Sequence, residues 1–173
     1  MIEYPRKILL ATDGTEDAAR ASRAAAALAH SSGAELHVVH VGQAAPSNVS
    51  AAPTRPMLPG EPPGYAERLA RRLLAREVEE VRAAGGTVTD AHHRMGQPAV
   101  EVVALAAKLG ADLLVVGSGG PRQMRRAVAA TTRRAAIGFV ADALVRTAPC
   151  PVLVVRGDGA VAKELPNTEE EDR

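Results

Sequence analysis

Lys7-Ile8-Leu9-Leu10-Ala11-Thr12-Asp13-Gly14 decides the fold. A short apolar run closed by turn residues suits a buried strand of a parallel sheet. Thr15 then caps a helix over 16–32, with Glu16 and Asp17 in the first turn where the macrodipole favours negative charge. Gly33 ends that helix, and Glu35-Leu36-His37-Val38-Val39-His40-Val41 reads as a second strand. Residues 42–64 are rich in Pro, Ala, Ser and Gly with almost no charge, the composition of a loop. Over 65–84, Leu69, Leu73, Val78 and Val81 recur at helical spacing with Glu and Arg on the other face, and Gly85-Gly86 ends the run. Residues 87–92 give a weaker strand, and Pro98 starts a third helix that Gly110 stops after Leu109. Ala111-Asp112-Leu113-Leu114-Val115-Val116 is the clearest strand and runs into Gly117-Ser118-Gly119-Gly120. A helical stretch over 122–147 and a last strand over 152–156, introduced by Pro149-Cys150-Pro151, complete the pattern. Strands alternating with helices at these spacings call for a doubly wound, Rossmann-like α/β domain: a parallel sheet, right-handed crossovers and helices on both faces. Ligands of such sheets bind beyond the carboxyl ends of the strands, which singles out the tips at Asp13-Gly14 and 117–120.

The 173 residues suffice for one domain, taken as 1–157, followed by an acidic tail over 158–173 expected to be disordered. Lys plus Arg is 21 against 20 for Asp plus Glu, so the net charge of +1 steers the chain toward neither nucleic acid nor membrane. The single Cys150 excludes an internal disulfide framework. No run approaches the roughly 20 apolar residues of a membrane span, and Arg20 and Arg23 interrupt the Ala-rich stretch where a signal peptide needs apolar residues, so a cytoplasmic protein is expected. Aromatic residues are limited to Tyr4, Tyr65 and Phe139; Ala, Val and Leu must build the core.

Three glycines among four residues at 117–120 let backbone N–H groups approach a phosphate closely, though a tight turn would use them equally. Arg122, Arg125, Arg126, Arg133 and Arg134 follow with no acid until Asp142, either as phosphate partners or as a solvated helical face. Asp13 at the switch point is a candidate ligand contact as well as a turn former. Ser118 is a candidate phosphate contact, and nothing places a histidine or acid beside it, so a nucleophile is not expected. His37 and His40 lie three apart on one strand and face opposite sides, and adjacent His92 and His93 diverge, so neither pair makes a metal site. Cys150 reads as a small buried apolar residue.

These phrases resemble the universal stress protein family over residues 1 to 157. The likeness rests on the opening Lys7-Ile8-Leu9-Leu10-Ala11-Thr12-Asp13-Gly14-Thr15, on 33–41, on Ala111-Asp112-Leu113-Leu114-Val115-Val116-Gly117-Ser118 with Gly120, and on Ala148-Pro149-Cys150-Pro151-Val152-Leu153-Val154-Val155. It implies a five-stranded sheet in the order 3-2-1-4-5 and a homodimer. Nucleotide-binding members are similar to one another in a motif Gly-x2-Gly-x9-Gly-Ser/Thr that holds ribose and phosphates, with an Asp after the first strand near adenine. Asp13, Gly117 and Gly120 match. Counting forward from Gly120 reaches Ala130-Thr131, whereas counting back from Cys150 reaches Gly138-Phe139, eight residues later. Residues 133–139 look like a degenerate copy of 125–131, which leads us to expect a small tandem duplication that splits the motif and a phosphate loop longer than in the family pattern, with an added helical turn or two. Directed outward, the added residues leave the site open; folded inward, they close it.

The resemblance implies a stress-response adaptor binding ATP or AMP, with adenine near Asp13 and the main chain around Val41. Ribose and phosphates then lie near Gly117, Ser118, Gly120 and either Thr131 or Gly138, with no catalytic group and at most slow ATP hydrolysis. A homodimer that holds no ATP and acts through protein partners is the alternative implied by the interrupted motif. An adenylating enzyme fits poorly: its Ser-Gly-Gly loop belongs after the first strand, whereas Ser118-Gly119-Gly120 follows the fourth, and neither His-x-Gly-His nor Gly-x4-Gly-Lys occurs. A nucleic-acid role for the arginines is disfavoured by the near-neutral charge and the lack of aromatics beside them.

Overall fold

The computed structural model describes residues 5–42, 65–119 and 137–156. These form β1 (Lys7–Thr12), α1 (Glu16–Ser32), β2 (Glu35–Gly42), α2 (Tyr65–Ala83), β3 (Asp90–Met95), α3 (Pro98–Leu109), β4 (Leu113–Gly117), α4 (Phe139–Thr147) and β5 (Val152–Val155). Gly120, Thr131, the arginine-rich stretch, the Pro-rich loop after Gly42 and the acidic tail lie outside the described residues.

All five strands are parallel, in the order β3-β2-β1-β4-β5. This is the doubly wound sheet expected from the alternation and the order implied by the resemblance. β1 is central because it is apolar on both sides: Ile8, Leu9 and Leu10 are all fully buried, each contributing about 1.5–3 kcal/mol. Ile8 and Leu10 join Leu36, Val38 and Val115 beneath α1 and α2, while Leu9 and Ala11 join Val39, Leu114 and Val116 beneath α3 and α4. The alternation of side chains along one strand thus feeds two separate cores. Thr15 caps α1 by accepting the Ala18 N–H, and Gly33 ends it in the left-handed conformation at φ 69°. Gly110 does the same for α3 at φ 62°.

Several boundaries and one face differ from expectation. β3 runs over Asp90–Met95 rather than 87–92, because it is a half-exposed edge strand whose extent follows the pairing from His37↔Asp90 to Gly42↔Met95. β4 begins at Leu113; Asp112 instead turns its carboxylate to the Arg6 and Lys7 N–H groups at 3.0 and 2.9 Å, fixing the start of β1. α2 is rotated so that Ala70, Leu74, Glu77, Val78 and Val81 face inward and Leu69 faces out. Cys150 is half-buried beside the α3 core, and burial pushes its thiol pKa up. None of the described helices is long and apolar enough to cross a membrane.

Candidate functional site

The tip of β1 is a self-organised turn. Asp13 Oδ1 accepts from the Thr15 N–H at 3.0 Å and from the Thr15 hydroxyl at 2.6 Å, an aspartate-led turn in which Gly14 takes φ 75°. The neighbouring strand holds the tip from beside: His40 Nδ1 lies 3.1 Å from the Thr12 carbonyl. A carbonyl only accepts, so the proton sits on Nδ1. Burial lowers the His40 pKa, against the raising effect of that hydrogen bond. Behind Thr12 lies Glu77 of α2, fully buried, its pKa raised by burial despite a hydrogen bond with the Thr12 side chain. The Ser22 hydroxyl approaches its other side at 3.5 Å.

The tip of β4 is built by close backbone approach. A Cβ on Gly117 would lie 2.8 Å from the Asp17 carbonyl carbon and 3.0 Å from the Ala18 nitrogen, so glycine here lets the strand end abut the first turn of α1. Ser118 is buried, and its hydroxyl donates to Asp17 Oδ2 at 2.7 Å. The expectation that no acid stands beside Ser118 is thereby corrected; the partner lies 101 residues away along the chain. Asp17 Oδ1 in turn accepts from Arg20 at 3.2 Å. A carboxylate is too weak a base to take an alcohol proton, so this pair fixes the strand tip and does not make a nucleophile.

Gly119 takes φ 61°, and Gly138, the residue before α4, donates its N–H to the Ser118 carbonyl at 2.7 Å. A Cβ on Gly138 would lie 2.8 Å from the Gly119 carbonyl carbon. The chain that leaves at Gly119 therefore returns to the same point at Gly138, backbone against backbone.

Between the two tips lies a cavity of about 180 Å³, lined by Asp13, Val41, Gly117 and Gly119 together with Val39 and, from α4, Val140 and Ala141. Its walls are mostly apolar, with Thr12 and Asp13 as the polar groups of the β1 side. Three predicted positions, Asp13, Val41 and Gly117, are thus brought together. Gly138 and Ser118 do not line it but are joined to each other and, through Ser118, to Asp17, and Gly120 and Thr131 are outside the described residues. Asp17, Glu77 and the α4 wall were missed, since nothing local in the sequence links them to either tip.

Residues 5–156 match the family model described as the universal stress protein family. A universal stress protein of Thermus aquaticus, encoded in the QAH/OAS sulfhydrylase 3' region, is 35% identical over 156 residues, covering 87% of this chain and 98% of that protein. A universal stress protein crystallised with cAMP superposes with a TM-score of 0.63 at 22% identity, covering 88% of this chain and 97% of its own. The Archaeoglobus fulgidus universal stress protein in complex with dAMP gives 0.56 at 22% identity, covering 90% and 99%. With the five-stranded order, the paired tips and this match over nearly its whole length, the chain belongs to the universal stress protein family.

Proposed function

We propose that the chain is a non-catalytic stress-response adaptor that holds an adenine nucleotide, ATP or AMP, in the cavity between the tips of β1 and β4. The observation that carries this reading is the convergence of Asp13, Val41, Gly117 and Gly119 on one apolar slot at the switch point of the sheet. A flat base suits the walls formed by Val39, Val41 and Val140, with its polar edge toward Asp13 and the main chain at Val41. Ribose and phosphates then pass over Gly117 and Gly119 toward the N-terminus of α4, where backbone N–H groups favour an anion. Of the two registers, Gly138 fits this arrangement as the residue that brings the α4 N-terminus against the β4 tip, its own N–H being donated to the Ser118 carbonyl. The Ser118 hydroxyl positions the loop through Asp17. Structures of universal stress proteins in complex with cAMP and with dAMP support the ligand class.

Calorimetric titration of the full chain with AMP and ATP tests this. One nucleotide per chain is expected, with Asp13→Ala weakening binding about tenfold, or 1.4 kcal/mol, and Val140→Trp, which fills the slot from a part-exposed position, abolishing it. Absence of binding by both nucleotides overturns the reading.

One observation favours a second reading, a cytoplasmic homodimer that works through protein partners without nucleotide. Phe139 stands where the family pattern has Ser or Thr, and it is 94% exposed. Native mass spectrometry showing an empty dimer would support it.

A further inference from the structure

At the opposite end of the sheet, the pairing of β2 with β3 places His37 directly against Asp90 and Val39 against His92. Asp90 and His92 are two apart on β3, so both side chains share the face that carries His37. His37 Nδ1 and His92 Nε2 lie 3.2 Å apart, His92 Nε2 is 3.7 Å from Asp90 Oδ2, and one donor atom from each residue falls within 4.8 Å of the others. Two imidazole nitrogens each about 2.0–2.1 Å from a tetrahedral ion are about 3.3 Å apart, close to the spacing observed.

The far side of His37 fits the same assignment. His37 is only 6% exposed and its Nε2 is buried without a hydrogen bond among the described residues, its carboxylate neighbour being Glu35 Oε2 at 3.5 Å. A proton on Nε2 lies beside that carboxylate, without a hydrogen bond to it, and leaves the Nδ1 lone pair facing His92. The opposite tautomer would bury a lone pair against a negative charge. Histidines that bind metals characteristically have a carboxylate beside their other ring nitrogen, and Glu35 is the carboxylate beside Nε2 here. Lys7, 3.6 Å from Glu35, holds the outer carboxylate in place. Asp90 is exposed, so water can complete the coordination.

We propose that His37 Nδ1, His92 Nε2 and the Asp90 carboxylate form a binding site for a borderline divalent cation of the Zn²⁺ class, with Glu35 as a positioning residue. Two imidazoles and one carboxylate select such an ion over Mg²⁺ or Ca²⁺, which take oxygen ligands. The site would tie edge strand β3 to β2, far from the slot, and is independent of the nucleotide reading.

The test is titration of the untagged, chelator-treated full chain with Zn²⁺ and, separately, Mg²⁺. Expected are one Zn²⁺ per chain, no Mg²⁺ competition and a raised melting temperature with Zn²⁺. Asp90→Asn, an exposed and nearly isosteric change, and His92→Ala should each weaken Zn²⁺ binding at least tenfold. Glu35→Gln should weaken it about 10–100-fold. Co²⁺ should show the visible bands of a low-coordinate nitrogen and oxygen site in the parent and not in Asp90→Asn. No Zn²⁺ uptake, or uptake unchanged in folded Asp90→Asn and His92→Ala chains, overturns the proposal.

Discussion

The two ends of the sheet are built by different means. At the carboxyl end, glycines let backbone meet backbone: Gly117 against Asp17 and Gly138 against Gly119. At the amino end, side chains from two strands converge through register, and His37, Asp90 and His92 meet. The first construction is rigid and intolerant of a single added carbon, whereas the second sits on a half-exposed edge strand and tolerates polar exchange. The same contrast separates glycines needed for space from glycines needed only for conformation.

The comparison is sharpest at Gly117→Val, which forces a side chain into the first turn of α1 and should destabilise the chain by about 3 kcal/mol or more in denaturant unfolding. The same substitution is a poor test of ligand binding for that reason. Gly138→Ala should cost about 2 kcal/mol, while Gly33→Ala, with nothing within 4 Å and only a left-handed φ of 69° to lose, should cost about 1 kcal/mol. Equal costs at the three positions would break the distinction between packing and conformation. Ser118→Ala removes a donor from the buried Asp17 carboxylate and should cost about 1–3 kcal/mol, with Gly138 then less firmly held.

Smaller effects should appear with pH. His40 and His92 both have folded pKa values below the ordinary 6.5, chiefly through burial. The unfolded chain therefore binds protons first as pH falls, so their contribution is complete above about 6.5 and is lost below it, toward the folded values. Thermal melts from pH 8 to 5 should show this decline, and His40→Gln should flatten it. Glu77 runs the other way: its pKa is raised above 4.5, so stability from its protonated form is lost as pH rises past 4.5. Glu77→Gln should therefore raise the melting temperature at pH 7, by the smallest margin of the set.

Much of the architecture was legible because buried parallel strands announce themselves as apolar runs, as Lys7–Thr12 does, and because Gly33 and Gly110 mark helix ends. The edge strand β3 was displaced by three residues at each end, since a half-exposed strand carries a weaker pattern and its limits come from its partner β2. Leu69 and Glu77 exchanged faces because helical spacing fixes which residues share a stripe, not which stripe a sheet will accept. Asp13 and Gly117 could be read at the switch point from local sequence alone. Asp17 beside Ser118 could not, and neither could His37 beside Asp90, because those meetings depend on register and crossover between distant segments.

The most direct test of the central claim is an amide NMR titration of the full chain with AMP, read at the well-separated glycine signals. Saturable shifts at Gly117, Gly119 and Gly138, with Gly33, Gly85 and Gly110 at the other end unmoved, are the predicted result. Signals that stay in place at the first three, or that move only at the amino end, would contradict a nucleotide slot between β1 and β4.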